Sequence, residues 1–359
     1  STAVNVTYSN VWNNGTNYYN VAQGNGCISS NPLYVNAPSN FRLTSNSPSR
    51  FAGDTMQDLG PLPYTTDPTP GLYGVLWVNT TLNLAGSPYT VPGDLTVGKN
   101  ATLTIDPGVT LNFTANSDIM GSGLNSTKGE LVVKGTLNAN GTTMSPITLK
   151  SSNVAQSSWY GVAVDTIGTA ATLANVNMQG TYAGIRNDAS GNVLNASGIT
   201  IDTTYYGLYL TAGTPTFTNI SVNGSVYGAA INGSASPTIT GCTLLGHTNS
   251  GVYVNMSGTM TTTNLTNCAI SGTSGATYGV YTAVTGNGNA TVNVTGSTIH
   301  ANGTSGLGVY ATSNTGSIAT VNVKNSNVTS QSFGIYREFG GSTAVNVTYS
   351  NVWNNGTNY

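Results

Sequence analysis

Side chains that could perform acid–base chemistry are few in this chain, and their spacing keeps them apart. Of its 359 residues only 6% are charged, nine of them basic and eleven acidic. In the regularly repeating part, residues 175–332, the only acids are Asp188 and Asp202. The repeat places these two in different parts of consecutive coils, so no catalytic carboxylate pair is predicted. The histidines of the same part, His247 and His300, are predicted to face solvent in bends rather than to bind a metal.

The other acidic residues are predicted to serve turns. They stand mostly beside glycine or proline, where a short carboxylate hydrogen-bonds the backbone of a turn. They include Asp54, Asp58, Asp67, Asp94 and Asp106. GGxGxD, CxxC and HExxH motifs are absent from the sequence, and we predict a non-enzymatic protein with no catalytic residue, no metal ligand and no cofactor. The near-neutral charge balance argues against nucleic acid as a partner, and no apolar run reaches the roughly 20 residues that span a bilayer.

Acceptors for asparagine-linked glycosylation are the most frequent motif. The pattern N-x-S/T occurs 19 times, more often than composition alone gives, and a surface with so few charges would be hydrated by attached sugar. The alternative is that strand-rich solenoids favour Asn and Thr in any case. Asn219 is set apart, because it occupies a bend and its amide is expected to be buried and hydrogen-bonded. The predicted glycosylation sites are Asn5, Asn14, Asn79, Asn100, Asn112, Asn125, Asn140, Asn195, Asn223, Asn232, Asn255, Asn264, Asn289, Asn293, Asn302, Asn327, Asn346 and Asn355.

Tyrosines recur at one position of the repeat and form a second candidate surface. A stack of outward tyrosines would offer apolar rings and hydroxyls to a glycan or to a neighbouring fibre. The alternative is that the rings only stiffen the sheet. The members are Tyr209, Tyr253, Tyr281, Tyr310 and Tyr336.

Two of the three cysteines occupy the same place in adjacent coils. Cys242 and Cys268 should therefore have Cα atoms near the separation that a disulfide tolerates. A disulfide and a pair of buried thiols both stay open at this point, because in-register side chains are often badly angled for a bond. Cys27 has no evident partner in the sequence.

A short phrase, a glycine followed by an aliphatic and a variable residue, occurs eight times at intervals of 21 to 29 residues. This repeat positions the candidate residues described above. A second phrase runs in step with it, centred mostly on Gly or Asn, the residues that take positive φ most cheaply. Segments between the centres alternate apolar with polar residues, as strands do. The sequence therefore predicts an all-β fold, a parallel β-helix (β-solenoid) with coils of about 21–29 residues. The bend centres are Asn175, Gly198, Asn219, Gly241, Asn267, Gly296, Asn325 and Tyr349, and the inward column is Val162, Ile185, Leu208, Ala229, Val252, Val280, Val309 and Ile335.

The first 18 residues return unchanged at residues 342–359. Coils of the array share only scattered identities, so an unbroken match of this length indicates that a unit of 341 residues repeats. Two interpretations stay open: tandem copies in the native polypeptide, or an overlap at an artificial boundary. On the first, residues 1–60 are the closing part of one unit plus a linker, residues 61–157 are the opening coils of the next, and residues 158–359 are its regular coils.

Several phrases resemble a known group of proteins. The closing phrases are SNVWNNGTNY, ISSNPLYV, FRLTSNSPSRFAGD and DLGPLPY, and the opening ones are SPYTVPGDLTVGKNATLTIDPGVTLNF, GTLNANGTTMSPITL and SWYGV. They resemble large secreted bacterial and archaeal surface proteins with a right-handed, pectin-lyase-like parallel β-helix. The resemblance covers nearly the whole chain and implies an extracellular or cell-surface location. It does not fix an activity, because this architecture hosts lyases, hydrolases, adhesins and passive stalks.

Three functions follow as hypotheses. The first is a structural subunit of an extracellular filament, sheath or surface fibre, N-glycosylated and built from tandem or end-to-end units, with copies of itself as partner. The second is a carbohydrate-binding adhesin that uses the tyrosine face. The third is a polysaccharide lyase or hydrolase with its site in the opening coils.

Overall fold

The computed structural model describes residues 4–191, 193–273, 278–300, 306–338 and 340–359. In the described residues the only helix is a 3-10 turn, Leu84–Gly86, and no helix is long and apolar enough to cross a bilayer. The strands are β1 (Tyr34–Asn36), β2 (Asn40–Leu43), β3 (Gly74–Leu76), β4 (Thr80–Leu82), β5 (Tyr89–Val91), β6 (Leu95–Val97), β7 (Thr102–Ile105), β8 (Thr110–Phe113), β9 (Glu130–Val133), β10 (Thr136–Asn140), β11 (Ile147–Ser151), β12 (Gly161–Val164), β13 (Ala170–Gln179), β14 (Ala183–Asn187), β15 (Leu194–Leu210), β16 (Thr216–Asn232), β17 (Thr238–Thr240), β18 (Thr243–His247), β19 (Ser250–Ser257), β20 (Met260–Thr266), β21 (Ala269–Gly272), β22 (Tyr278–Thr285), β23 (Asn289–Thr295), β24 (Thr298–His300), β25 (Leu307–Ser313), β26 (Ile318–Lys324), β27 (Asn327–Thr329), β28 (Phe333–Arg337), β29 (Ser342–Thr348) and β30 (Asn351–Trp353).

Every strand after the antiparallel hairpin β1–β2 pairs in parallel with a strand one coil away, and the coils present three faces. Strands β13, β15 and β16 pass through bends and serve more than one face. Face A contains β3, β6, β9, β12, β14, the ends of β15 and β16, β19, β22, β25 and β28. The last four strands of face B are β20, β23, β26 and β29, and the last four strands of face C are β21, β24, β27 and β30. The predicted parallel β-helix is confirmed.

The core is a set of columns of apolar side chains that run along the axis. On face A, for example, Val252 pairs with Val280, which pairs with Val309, so like side chains stack at the roughly 4.8 Å strand spacing. All eight residues of the predicted inward column are buried. The two-residue alternation predicted from the sequence is therefore confirmed.

All eight predicted bend centres have positive φ, between 48° and 66°. Gly and Asn alternate there for a steric reason. A Cβ on Gly241 would lie 2.5 Å from Oδ1 of Asn219 in the previous coil, and one on Gly296 would lie 2.6 Å from Oδ1 of Asn267. The amides of Asn175, Asn219 and Asn267 therefore fill the space that a side chain at the next bend would need, and a glycine follows each of them. Asn325 is the exception, because Tyr349 follows it. Asn219 itself is exposed, so the expectation of a buried amide there was wrong.

Residues 20–60 lie against the first coils of the stack. The backbone N–H of Val75, in β3, donates to the carbonyl O of Asn46 at 2.8 Å, and the Trp77 indole donates to the carbonyl O of Ser47 at 2.9 Å. On the opposite side of this segment, Asn31 N–H donates to the carbonyl O of Met120 at 2.9 Å. The segment therefore covers the backbone edge of the first coil.

One histidine does not lie where the sequence places it. The prediction of a solvent-facing His247 was wrong: β18 continues through that residue with a register shift, and its ring is fully buried. Its Nε2–H donates to the carbonyl O of Tyr278 in the next coil, 3.1 Å away. His300 is exposed as expected and contacts Thr329 Oγ1 at 2.9 Å.

Candidate functional site

Tyrosine rings run unbroken along face A, one from each of eight successive coils. Neighbouring ring centroids lie 4.9 to 5.7 Å apart over the whole row. The row, called here the tyrosine ladder, is Tyr160, Tyr182, Tyr206, Tyr227, Tyr253, Tyr281, Tyr310 and Tyr336. Stacked aromatic pairs add about 0.5–1.5 kcal/mol each beyond their buried area, so the ladder stiffens the stack along its axis.

The structure brings together four of the five predicted tyrosines directly, from Tyr253 to Tyr336. In the strand register Ala230 lies between Tyr209 and Tyr253, which leaves a gap in the row of rings. The ring of Tyr227, which belongs to a neighbouring column of residues, fills this gap. Sequence reasoning missed this second column, which precedes the glycine of the phrase, as in Tyr160-Gly161 and Tyr227-Gly228. A tyrosine before the glycine was the signal that could have found it.

Half-burial raises the pKa of several ladder tyrosines, among them Tyr182, Tyr227 and Tyr253. Burial raises the pKa of Tyr281 to about 12, and the neighbouring Tyr253 adds to the effect. Burial likewise raises the pKa of Tyr160 to about 12, although the guanidinium of Arg186 opposes it. Within the ladder, Tyr206 stacks on Tyr227 and Tyr281 stacks on Tyr310, whereas Tyr182 meets Tyr206 edge to face.

Arg186 closes the ladder at its opening end. Its Nε donates to Asp188 at 2.7 Å, one terminal nitrogen donates to the Tyr160 hydroxyl at 3.0 Å, and the guanidinium lies 5.0 Å from the ring centre of Tyr209. The side chain of Arg186 is more than three-quarters covered. Its ion pair with Asp188 therefore holds the edge of face A in place. Asp188 and Asp202 belong to separate hydrogen-bond sets, Asp202 accepting from Asn223.

A ladder of asparagine side chains runs along face B. The amide Nδ2 of Asn293 donates to Oδ1 of Asn264, that of Asn322 to Asn293, and that of Asn346 to Asn322, each at 2.9 Å. Three of these four asparagines, all except Asn322, are predicted glycosylation sites. The same nitrogen that a glycan would modify is therefore engaged between coils at Asn293 and Asn346.

The remaining predicted glycosylation sites differ in exposure, and Asn302 lies outside the described residues. Two more use Nδ2 between coils: Asn223 donates to Asp202 at 2.8 Å and Asn355 to the carbonyl O of Val328 at 3.1 Å. The exposed sites are Asn5, Asn14, Asn79, Asn100, Asn140, Asn195, Asn255, Asn327 and Asn346. The half-buried ones are Asn112, Asn125, Asn223, Asn232, Asn264, Asn289, Asn293 and Asn355.

We expect glycan occupancy on the native protein to follow this division. Asn195, Asn255 and Asn327 should carry more glycan than Asn223 and Asn293, because a glycan on the latter two would remove a hydrogen bond between coils. Glycopeptide mass spectrometry of material from the source organism measures this directly. Equal occupancy in the two sets would contradict the expectation.

Inside the bend between faces B and C, the cysteine column continues as serines. Cys242 and Cys268 are joined by a disulfide, with Cα atoms 4.6 Å apart. The backbone N–H of Cys268 donates to Ser297 Oγ at 3.0 Å, and that of Ser297 to Ser326 Oγ at 3.1 Å. One column thus links consecutive coils first by a covalent bond and then by hydrogen bonds. Cys27, outside this column, is a free thiol.

Three acidic side chains meet in the opening coils, where sequence analysis placed only turn residues. Ser122 Oγ donates to Asp94 at 2.7 Å, and the backbone N–H of Glu130 donates to the same carboxylate at 3.2 Å. Asp118 accepts from the backbone N–H groups of Asp94, Met120 and Ser122 at 2.9 to 3.1 Å. The loop around residues 118–124 therefore wraps two buried carboxyl groups.

The geometry leaves little water around these two carboxyl groups. Asp94 is 3% exposed and Glu130 is fully buried. Burial raises the pKa of Glu130 to about 9, with the charge of Asp94 adding to the shift. Burial and the charge of Asp118 raise the pKa of Asp94 to about 7. At neutral pH Glu130 therefore holds a proton.

A signal for this cluster exists in the sequence. In the strand register Glu130 lies opposite Gly161, the first glycine of the phrase, and Leu131 lies opposite Val162. Glu130-Leu131-Val132 is thus the same phrase one coil earlier, with an acid in the glycine column. Extending the repeat back by one coil would have identified Glu130.

Asp94 is the one member of the acidic cluster that lines a cleft of about 570 Å³ between face A of the opening coils and residues 23–52. Arg50, Trp77, Lys99 and Lys134 contribute to its walls. Among the described residues, no group of three or more His, Cys, Asp or Glu side chains has an arrangement that could hold a metal ion.

A family model described as a right handed beta helix region matches residues 183–355. The chain is a right-handed parallel β-helix. A solved structure of pectate lyase Pel9A aligns with 72% of this β-helix and 73% of its own chain, at 14% sequence identity and a TM-score of 0.29. No curated protein matches the chain.

Proposed function

We propose that this β-helix is a structural subunit of an extracellular filament, sheath or surface fibre, built from units in tandem or end to end. The observation that carries the proposal is the unbroken repeat of residues 1–18 at residues 342–359. The two copies share their special backbone conformations: φ is 46° at Tyr8 and 50° at Tyr349, and 57° at Asn13 and 59° at Asn354. The second copy contains the strands Ser342–Thr348 and Asn351–Trp353, whereas the described residues of the first copy pair only through the isolated bridge of Asn10 with Ile28.

The two copies have different surroundings. Beside the first copy, Tyr8 N–H donates to the carbonyl O of Asn25 and Val11 N–H to that of Ile28, both at 3.0 Å. In the second copy the side chain of Tyr349 is 86% exposed and that of Trp353 is 63% exposed. The same 18-residue sequence is therefore more exposed in its second occurrence than in its first.

Side-chain ladders that join consecutive coils support the proposal of a rigid rod. Tyrosines, asparagines, serines and one disulfide each connect consecutive coils along the axis. Every ring of the tyrosine ladder contacts the ring of the next coil, and three of the seven pairs are stacked face to face. These contacts favour a stiffening role over the adhesin alternative, in which a sugar would need an open ring face. The small number of charges and the many glycosylation motifs support an extracellular, glycosylated surface.

Intact mass and limited proteolysis of native material test the proposal. We expect species far above 36.7 kDa that fall to unit-sized fragments when cleaved within residues 61–70, which are strand-free and mostly exposed. A discrete species of one unit, with no larger assembly at any concentration, would contradict it.

A polysaccharide lyase or hydrolase is the second candidate, favoured by the cleft of the opening coils. Asp94 has a pKa raised by burial to about 7, which suits proton transfer near neutral pH, and Lys99 and Lys134 line the same cleft. Turnover of acidic and neutral polysaccharides that is lost on Asp94→Asn would support this candidate. Equal turnover of the two proteins, or none by either, would count against it.

A further inference from the structure

The tyrosine ladder has groups of opposite charge near its two ends. Arg186 lies against Tyr160, and Glu338 lies against Tyr310. We propose that the ladder carries a single oxidising equivalent along face A, away from Arg186, and that Tyr310 holds it as a neutral tyrosyl radical. The partner is a one-electron oxidant at the surface near Tyr182, of the class of metal complexes or organic radicals. This activity goes beyond the proposed function and does not depend on the assembly of units.

The rings contact one another without a break between Tyr182 and Tyr310. Successive ring centroids along this part of the ladder lie 4.9 to 5.7 Å apart. Electrons pass far more readily between π-systems in contact than across saturated side chains, because electronic coupling falls steeply with distance. The radical moves each time an electron passes from one ring to its oxidised neighbour. Five coil spacings of about 4.8 Å make this path roughly 24 Å long.

The hydroxyl of Tyr310 has an acceptor for its proton. It donates a hydrogen bond to the carboxylate of Glu338, whose backbone N–H donates to the carbonyl O of Ala311 at 3.0 Å. The bond from Tyr310 lowers the pKa of Glu338, so this carboxylate is ionised at neutral pH. A phenol that loses an electron becomes a strong acid. In the last step one electron therefore passes from Tyr310 to the oxidised ring of Tyr281, and the phenolic proton passes to Glu338 Oε2. Overall the oxidant gains one electron, Tyr310 loses one electron and one proton, and Glu338 gains that proton.

Arg186 disfavours the radical at the other end of the ladder. One terminal nitrogen donates to the Tyr160 hydroxyl at 3.0 Å, and the guanidinium lies 5.0 Å from the ring centre of Tyr209. Asp188 pairs with Nε of this guanidinium and offsets part of its charge. The guanidinium nevertheless has no acceptor atom, so it cannot take the proton of a phenol. A cation beside a ring also makes the removal of an electron more costly. The radical is therefore less stable at Tyr160 than at Tyr310.

Flash oxidation of the full chain from a fixed point tests the path. A ruthenium(II) polypyridyl label is attached at Val154→Cys, with Cys27→Ser removing the free thiol. Val154 is 49% exposed, and its Cα lies 3.2 Å from where a Cβ on Gly180 would stand, two residues before Tyr182. A cobalt(III) ammine quencher converts the excited label to ruthenium(III), which takes one electron from the ladder. A nitroso spin trap, followed by mass spectrometry of peptides, shows which tyrosine holds the radical, and we expect adducts at Tyr310.

Tyr253→Phe should remove most of the trapping at Tyr310. Among the described residues, Tyr253 is the only ring in contact with both Tyr227 and Tyr281, and phenylalanine keeps the packing but is much harder to oxidise. Without it the gap between neighbouring tyrosines grows to two coil spacings, roughly 10 Å. The matched control is Tyr278→Phe, which should keep the trapping at Tyr310, because Tyr281 contacts Tyr310 directly at 4.9 Å.

Glu338→Gln should also reduce the trapping at Tyr310, because the amide does not take the phenolic proton, while the first reduction of ruthenium(III) near Tyr182 keeps its rate. Both phenylalanine variants retain the ring contacts of the stack, so a loss seen only in Tyr253→Phe reports the path and not the fold. Equal trapping at Tyr310 in Tyr253→Phe and Tyr278→Phe, or radicals that stay at Tyr182 in the unaltered ladder, would overturn the proposal.

Discussion

Replacing Glu130 with glutamine is expected to remove most of the stability loss that this protein undergoes as the pH rises above the acidic range. In the folded chain, burial and the charge of Asp94 raise the pKa of Glu130 from 4.5 to about 9. The folded state therefore keeps a proton that the unfolded state releases. The stabilising contribution of Glu130 is complete below its unfolded pKa and is lost as the pH rises through about 9. Each pKa unit is worth about 1.4 kcal/mol, so the loss is on the order of a few kcal/mol.

The groups around Glu130 determine the details of that profile. The charges of Asp94 and Asp118 oppose ionisation of Glu130. Asp94 itself has a pKa raised to about 7, and the charge of Lys134 acts in the opposite direction by lowering that pKa. Tyr160 faces the same carboxyl from the next coil. The backbone N–H of Leu124 donates to Glu130 and favours its ionised form, but burial and the charge of Asp94 outweigh this bond.

Denaturant unfolding at about pH 5, 7 and 9 measures the effect. The wild-type chain should lose stability towards pH 9, and Glu130→Gln should have a flatter profile, since the amide keeps the shape of the side chain without titrating. The matched control is Asp54→Asn, which removes an exposed carboxyl of residues 20–60 and should retain the wild-type profile. Parallel profiles for the wild type and Glu130→Gln would contradict the account of the acidic cluster.

The substitution Gly241→Ala is expected to destabilise the protein more than Gly224→Ala. Both glycines lie in the same part of the stack with nearly the same φ, 66° and 64°, so the cost of a left-handed alanine, about 1–2 kcal/mol, is common to the two. They differ in their neighbours: a Cβ on Gly241 would meet Asn219 Oδ1 at 2.5 Å, and one on Gly224 has no atom within 4 Å. The clash should add on the order of 1–2 kcal/mol.

A double variant identifies the cause of that difference. With Asn219→Gly in the background, Gly241→Ala and Gly224→Ala should have the same effect on the free energy of unfolding, because the amide that blocks Gly241 is gone. The coupling between residues 219 and 241, measured by chemical denaturation, is the quantity of interest. A difference between the two alanine variants that persists without Asn219 would show that the amide does not dictate the glycine.

Sequence reasoning was most successful where local chemistry dictates structure. Only residues that tolerate positive φ fit the bends, so Asn175 and Gly198 could be placed as bend centres, and the alternation of apolar residues located the inward column through Val252. The alternation of Asn with Gly was visible in the sequence. Its cause, an amide lying over the next backbone, needs the distance between coils.

The failures concern contacts that depend on register across coils. His247 was placed outside because the bulge in β18 that turns its ring inward leaves no local signal. Asp94 and Glu130 are far apart in sequence and become neighbours only through the pairing of Leu95 with Leu131. Asn293 could be identified as outward from its strand, but its bond to Asn264 depends on stacking at the strand spacing.

Electron microscopy of native material and of the purified chain is the most direct test of the filament proposal. The account predicts unbranched rods that lengthen with protein concentration, with strands stacked about 4.8 Å apart along the rod axis. Discrete particles of a single unit at every concentration, or fibres whose strands run parallel to the long axis, would contradict it.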